Sequence, residues 1–248
     1  MKQYPVLITA RTNSSRLPKK CLLPFGDQNI ISYIITIAKQ NNLSPILSTT
    51  KQRSDDILCK IAKNHKINFF RGSEKNKLKR WLDTANKYNL KYFHTLDADD
   101  PFFWKKQIKK SINLLIKNKL DIVYPSLISS KGEASEGYSI NVKFLEKKLS
   151  KMNNSNKDTE MITKYIKRGK SAILSNSEFI TKSRLTLDYY EDYIFLMTIK
   201  LILKQKITRE KIHNLVLRNP DLKKINFFKN IEWKNRQKKL SKWLIKKN

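Results

Sequence analysis

The chain has no run of eighteen apolar residues, so no stretch of it is long enough to cross a bilayer as a helix. Its start, Met-Lys-Gln-Tyr-Pro, enters an apolar stretch without the h-region of a secretory signal, and a cytoplasmic location is expected. Cysteine is scarce: Cys21 and Cys59 have no metal-ligand spacing and imply no disulfide scaffold. His65, His94 and His213 lie far apart, each without a metal-spaced companion. His94, inside an apolar stretch, reads as a satisfied core histidine, and no Ser-His-Asp or Cys-His arrangement emerges. Neither G-x-x-x-x-G-K-[ST] nor G-x-G-x-x-G occurs, which disfavours a P-loop or a dinucleotide-binding turn.

Acidic residues are also few. Asp and Glu total 21 against 52 Lys and Arg, a net charge of +31. Such a balance prompts a nucleic-acid or anionic-membrane reading. A nucleic-acid binder, however, concentrates charge on one element and interleaves aromatic residues for stacking. Here the lysines run through every segment beside abundant Asn and Ile, as a drift in overall composition would produce. A solvated basic surface is the better reading, with no nucleic-acid partner and no membrane insertion expected. Only residues 233–247 are locally concentrated in charge, with Trp233, Leu240, Trp243 and Leu244 as an apolar side. That tail reads as a helix packed on the domain or on a partner subunit, with membrane-surface association as the alternative.

What is present is an alternation of strand and helix patterns in 248 residues, enough for one domain with a small appendage. Strands are expected at residues 4–10, 45–50, 67–70, 92–96, 121–124 and 184–188, with an antiparallel one at 138–142. Helices are expected at 29–40, 55–65 (capped by Ser54), 76–88, 104–118, 143–151, 158–167, a long one from 191, and 208–218. Residues 126–136 read as a mobile loop. The alternation predicts an α/β fold: a mixed, mostly parallel central sheet with helices on both faces.

Two loops carry chemistry. Ala10-Arg11-Thr12-Asn13-Ser14-Ser15-Arg16-Leu17-Pro18-Lys19-Lys20 follows the first strand, and no hydrophobic pattern explains its charge. In an open α/β sheet, ligands sit where such loops leave the carboxyl ends of strands. Arginine forks and a lysine point charge suit phosphate oxygens, so a nucleoside triphosphate is the expected ligand. Asp97-Ala98-Asp99-Asp100-Pro101 ends the fourth strand at the same edge. Three carboxylates within four residues repel one another, which a bound cation relieves, and Mg²⁺ is commonly held by one or two carboxylates plus substrate phosphates.

Read as A-R-x-x-S-x-R-L-P-x-K, Ala10, Arg11, Ser14, Arg16, Leu17, Pro18 and Lys20 match the signature loop of the CMP-sugar synthetases. The chain resembles these acylneuraminate and Kdo cytidylyltransferases, and most of all their spore-coat polysaccharide branch. Asn13 and Lys19 stand where that family usually has glycine. Asparagine tolerates positive φ better than other side chains, and Lys19 adds charge where charge is wanted. The likeness continues in Arg71-Gly72-Ser73 with Arg80, in Glu160, Thr163, Tyr165 and Ile166, and in Arg184-Leu185-Thr186-Leu187-Asp188 with Glu191 and Asp192. Gly137-Tyr138-Ser139-Ile140-Asn141-Val142 replaces G-L-D-V-E-V of that branch. If the two lost acids contact the acceptor, this chain's acceptor differs.

The resemblance implies a Rossmann-like nucleotide-diphospho-sugar transferase (GT-A-like) fold over residues 1–226, with 227–248 as a basic helical tail. It implies transfer of CMP from CTP to an acidic sugar, release of pyrophosphate, and a homodimer. Asp99 and Asp188 would hold Mg²⁺ and act in catalysis with Arg11 and Lys20. Ala10, Arg11, Ser14, Arg16, Lys20, Arg71, Ser73 and Arg80 would bind the nucleotide, and Tyr138, Asn141, Tyr165 and Arg184 the acceptor. Two alternatives stay open. One is a nucleotidyltransferase of the same fold using another nucleotide, or a phosphonate or polyol-phosphate acceptor. The other is a non-enzymatic binder of nucleic acid or membrane surface.

Overall fold

Pro5–Thr9 (β1) is an apolar run buried on both sides, as a central parallel strand requires. In the computed structural model, which describes residues 4–129, 134–152, 157–176 and 178–236, β1 pairs in parallel with Ser44–Thr50 (β4) and with Tyr92–Asp97 (β6). A hairpin of Pro24–Phe25 (β2) and Gln28–Asn29 (β3) interrupts the path from β1 to Ile30–Gln40 (α1). Asn68–Gly72 (β5) extends the sheet beyond β4. On the other side Ser139–Asn141 (β8) runs antiparallel between β6 and Ile122–Tyr124 (β7), and Ser171–Ile173 (β9) closes the edge parallel to β7. The seven-stranded order is β5-β4-β1-β6-β8-β7-β9, the expected mixed and mostly parallel sheet.

Consecutive residues of β1 serve opposite layers. Val6 and Ile8 pack under α1, Asp56–Asn64 (α2), Lys105–Lys117 (α4), Tyr190–Leu203 (α6) and Arg209–Arg218 (α7). Leu7 faces Lys77–Lys87 (α3) and Val142–Ser150 (α5), where Trp81, Phe93 and Ile140 fill the layer. Helix starts follow side-chain capping: Asn29, Asn76, Asn141 and Thr208 accept the N–H groups of Ser32, Lys79, Phe144 and Lys211. Gly137, at φ +66°, lets β8 approach β6, since a Cβ there would lie 2.0 Å from the Thr95 carbonyl oxygen. No helix among the described residues is long and apolar enough to cross a membrane.

Three local expectations are corrected. Ser54 does not cap α2, which begins at Asp56 after a 3₁₀ turn at Arg53–Asp55, and the Asp55 side chain turns inward. Residues 158–167 form only the short turn Ile162–Lys164. There Asp158 accepts the Glu160 N–H and the Tyr165 hydroxyl, and Thr159 meets Asn76 and Leu78 at the start of α3, so side chains displace helical bonding. Residues 184–188 form no strand. Their backbone meets Asp99 through the Leu187 N–H, and Asn226 and Lys20 take the carbonyls of Arg184 and Leu187.

The loop expected at 126–136 is tied at its ends, where Glu136 accepts the Ser126 N–H at 2.6 Å and donates its own to Ser129 Oγ. Residues 130–133 lie outside the described part, as do residues 237–248 of the tail. Residues 229–236 are helical and lie on the domain through Asn230, which accepts from Arg184, and Arg236, which donates to Ser15.

Candidate active site

The strand order reverses direction between β1 and β6, and their carboxyl ends lie side by side: Thr9 pairs with Asp97, and the Ala98 N–H donates to the Thr9 carbonyl. This is the switch point at which a crevice opens in open α/β sheets. The loop of residues 10–20 leaves β1 here and is held from behind by Asp55. That carboxylate accepts the Thr12 N–H at 2.8 Å and hydroxyl at 2.7 Å, together with the hydroxyls of Thr49 and Thr50. Burial works to raise the Asp55 pKa, but the hydrogen bonds from Thr50 and Thr12 outweigh it and hold the group below the usual carboxylate value.

The loop ends at Lys20, which opens a 3₁₀ turn, Lys20–Leu22, and sends its ammonium back under the crevice. Lys20 Nζ donates to Asp99 Oδ2 at 2.6 Å, to the Leu187 carbonyl at 2.7 Å and to Asp188 Oδ1 at 3.0 Å. One ammonium therefore joins the two acids expected to share a cation. Arg16 also donates to Asp188. Arg184, fully buried, grips Asp188 Oδ2 at 3.0 Å and Asp192 Oδ1 at 2.8 Å. Asp192 in turn accepts the N–H groups of Asp188 and Tyr189, which fixes the turn into α6.

The electrostatics follow from this packing. Burial opposes the charge on Lys20, but Asp99 and Asp188 lift its pKa above the ordinary value. Burial would also raise Asp188, yet Lys20 and Arg16 pull it down. Asp99 goes up, because burial outweighs the attraction of Lys20 and because Asp97 and Asp188 repel its charge. Asp100 is buried behind the edge, and burial with Asp99 and Asp97 pushes its pKa well above the usual carboxylate range.

A second charged group flanks the crevice on the α3 side. Lys77 Nζ donates to Asp97 Oδ1 at 3.0 Å and lies over the Trp81 ring, while Trp81 Nε1 donates to Thr9 Oγ1. Glu160 faces Arg11 at 3.8 Å, and Lys77, ahead of Arg11 and Arg80, holds its pKa below the ordinary value despite burial.

The structure thus brings Ala10, Arg11, Ser14, Arg16, Lys20, Asp99, Asp188 and Glu160 to one edge. Tyr138 lies there too, its backbone paired with Thr95 and its hydroxyl pushed up to about 12 by burial. Other predicted site residues take structural positions. Arg71 at the rim donates to the carbonyls of Thr50 and Gln52 and pairs with Asp56 at 2.6 Å. Ser73 Oγ accepts the Asn76 N–H, and buried Arg80 holds the carbonyls of Ser73 and Glu74. Tyr165 is engaged with Asp158, and Arg184 acts from beneath Asp188.

Asn141 is not brought to the edge: it pairs with Tyr92 at the amino end of β6 and caps α5. Ser139 is buried between His94 and Ser111. The two replaced acids therefore stand away from the crevice, and the expectation of an altered acceptor loses its footing. Sequence reasoning missed Asp55 and Lys77, because each looks like an ordinary polar residue in the first turn of a helix.

Residues 5–230 match the sequence model of the cytidylyltransferase family. The chain belongs to that family. It is a nucleotidyltransferase, and the resemblance seen in the first loop extends over nearly the whole chain. An uncharacterised protein of Methanocaldococcus jannaschii is 29% identical over 229 residues, covering 89% of this chain and 93% of its own. The spore coat polysaccharide biosynthesis protein SpsF of Bacillus subtilis is 23% identical over 237 residues, covering 89% and 97%. A cytidylyltransferase structure from Leptospira borgpetersenii superposes with a TM-score of 0.77 at 25% identity, covering 90% of this chain and 97% of its own. This cytidylyltransferase therefore has the Rossmann-like fold expected from its first loop.

Proposed function

We propose that this cytidylyltransferase moves CMP from CTP to an acidic sugar or a related acceptor for surface polysaccharide or glycoconjugate synthesis. The observation that carries the reading is the meeting of Lys20, Asp99 and Asp188 under the phosphate-type loop of residues 10–20. The acceptor oxygen attacks the α-phosphorus, the bond to the α–β bridging oxygen breaks, pyrophosphate leaves, and the hydroxyl proton is lost to water. Such transfers depend on positioning and charge neutralisation rather than on covalent catalysis.

Arg11, Arg16 and Lys20 supply cationic donors for the triphosphate, with Ser14 adding a hydroxyl. Arg71, Ser73 and Arg80 shape the rim on the base side, the two arginines by holding backbone carbonyls and Ser73 by accepting the Asn76 N–H. Asp99 and Asp188 offer hard oxygen donors, already gathered on one ammonium, that fit a divalent ion completed by substrate phosphates, and Mg²⁺ is our assignment. No group of three His, Cys, Asp or Glu side chains that could hold a metal exists among the described residues, so two carboxylates would leave the remaining positions to substrate phosphates and water. Such an ion, when bound, neutralises charge on the triphosphate. We place the acceptor over Tyr138, beside the Lys77–Asp97 pair that walls the crevice. Arg184 holds Asp188 from below, and Tyr165 stays at the wall. A homodimer is the assembly that the family resemblance supports.

The test is pyrophosphate release with Mg²⁺, each of the four nucleoside triphosphates, and a panel of acidic sugars, phosphonates and polyol phosphates. Release with CTP alone and with one acceptor class is expected. Release with ATP or GTP in preference to CTP would overturn the assignment.

A further inference from the structure

Lys20 occupies an unusual position for a phosphate-binding lysine. Its ammonium is turned inward, 14% exposed at the side chain, and spends its donors on Asp99, Asp188 and the Leu187 carbonyl. Around it, Asp99, Asp188 and Asp192 balance Lys20, Arg16 and Arg184, so the cluster is formally neutral. A divalent ion arriving alone would leave that cluster with two excess positive charges and would meet the ammonium at the very oxygens it needs. Like charges at contact distance in a partly buried site repel strongly. A triphosphate brings more negative charge than the ion brings positive, and it offers the ammonium new partners. Lysine carries its charge on a flexible four-carbon stem, so the ammonium can change partners while the loop stays in place.

We propose that Lys20 is an internal counter-ion that makes divalent-cation binding conditional on nucleotide: it holds Asp99 and Asp188 together until triphosphate oxygens draw it away. The inference rests on the CTP-dependent reading above and adds an order to it, with carboxylates that discriminate against free metal. By linkage the effect is reciprocal, so the ion strengthens nucleotide binding by the same factor by which the nucleotide strengthens ion binding.

The test is Mn²⁺ titration of the full chain without nucleotide, read from the free-ion EPR signal. Lys20→Met is expected to bind Mn²⁺ roughly tenfold or more tightly than the wild type, a typical coupling between sites. Lys20→Met combined with Asp99→Asn is expected to lose that gain, which locates the ion. Where Lys20→Met fails to fold, as judged by circular dichroism, Lys20→Gln carries the same test. A folded Lys20 variant with no gain in Mn²⁺ affinity overturns the counter-ion role. If the wild type still transfers CMP in that case, only this inference falls. A wild type that neither binds nor turns over CTP overturns the underlying reading instead.

Discussion

The backbone N–H of Thr12 donates to Asp55 Oδ1 at 2.8 Å across 43 residues of sequence. The bond ties the loop after β1 to the loop after β4, and the Asp55 carboxylate collects the hydroxyls of Thr12, Thr49 and Thr50 at the same point. Asp55→Ala leaves these buried donors without an acceptor and is expected to cost about 2–3 kcal/mol of stability in urea unfolding. Because the anchored loop is the proposed triphosphate site, KM for CTP should rise more than kcat falls. An unchanged KM with lowered stability would make Asp55 purely structural.

Lys19 adopts the left-handed conformation, φ 53° and ψ 25°, one residue before Lys20. Asn13, the other position where the family usually has glycine, is not among the residues with positive φ. The conformational demand expected at Asn13 thus falls on Lys19. Lys19→Gly removes the steric cost and is expected to raise stability by about 1 kcal/mol, seen as a higher urea midpoint with an unchanged slope. A lower midpoint would show that the Lys19 side chain contributes more than its backbone costs.

Asp192 never reaches the crevice, yet it holds the N–H groups of Asp188 and Tyr189 and pairs with Arg184. Asp192→Asn keeps the shape and removes the charge. Groups that orient metal ligands typically matter by about 10–100-fold, and a loss of that size in kcat is expected with an intact circular-dichroism spectrum. Activity within twofold of the wild type would show that Asp188 is held without it.

His94 is fully buried, donates from Nε2 to the Glu136 carbonyl at 2.7 Å and accepts at Nδ1 from Ser139. Burial pushes its pKa down to about 4. The unfolded chain then binds the proton more readily than the folded one between about pH 6.5 and 4, so stability falls as pH drops through that window. Unfolding free energies at pH 7 and pH 5 should differ by about 2 kcal/mol from this group alone. His94→Gln should flatten the slope by that amount, and an unchanged slope would place the proton sensitivity elsewhere.

Much of the fold and part of the site were legible because they are local. The apolar run at β1, the isoleucines of α1 and the acids after β6 each announce an element or a charge cluster within a few residues. Lys20 and Asp99 lie in such clusters, and the resemblance to the CMP-sugar synthetases singles them out there. The rest depends on contacts between distant segments. Asp55 looks like a helix-start acid until Thr12 arrives beside it, and Lys77 looks like a solvated lysine until Asp97 and Trp81 enclose it. The resemblance implies Asn141 at the acceptor, but the register of β8 pairs it with Tyr92, at the amino end of β6 and away from the crevice. The strand expected at 184–188 failed for a related reason: its apolar side chains are buried, but its backbone finds side chains and one loop rather than a ladder.

The central claim is that the crevice between β1 and β6 holds CTP over Asp99 and Asp188. Its most direct test is calorimetric titration of the wild type and of Asp99→Asn with each nucleoside triphosphate in the presence of Mg²⁺. The account predicts binding of CTP in preference to ATP, GTP and UTP, and loss of the Mg²⁺-dependent part of that binding in Asp99→Asn. Absence of CTP binding to the folded wild type, or CTP binding that ignores both Mg²⁺ and Asp99, would contradict it.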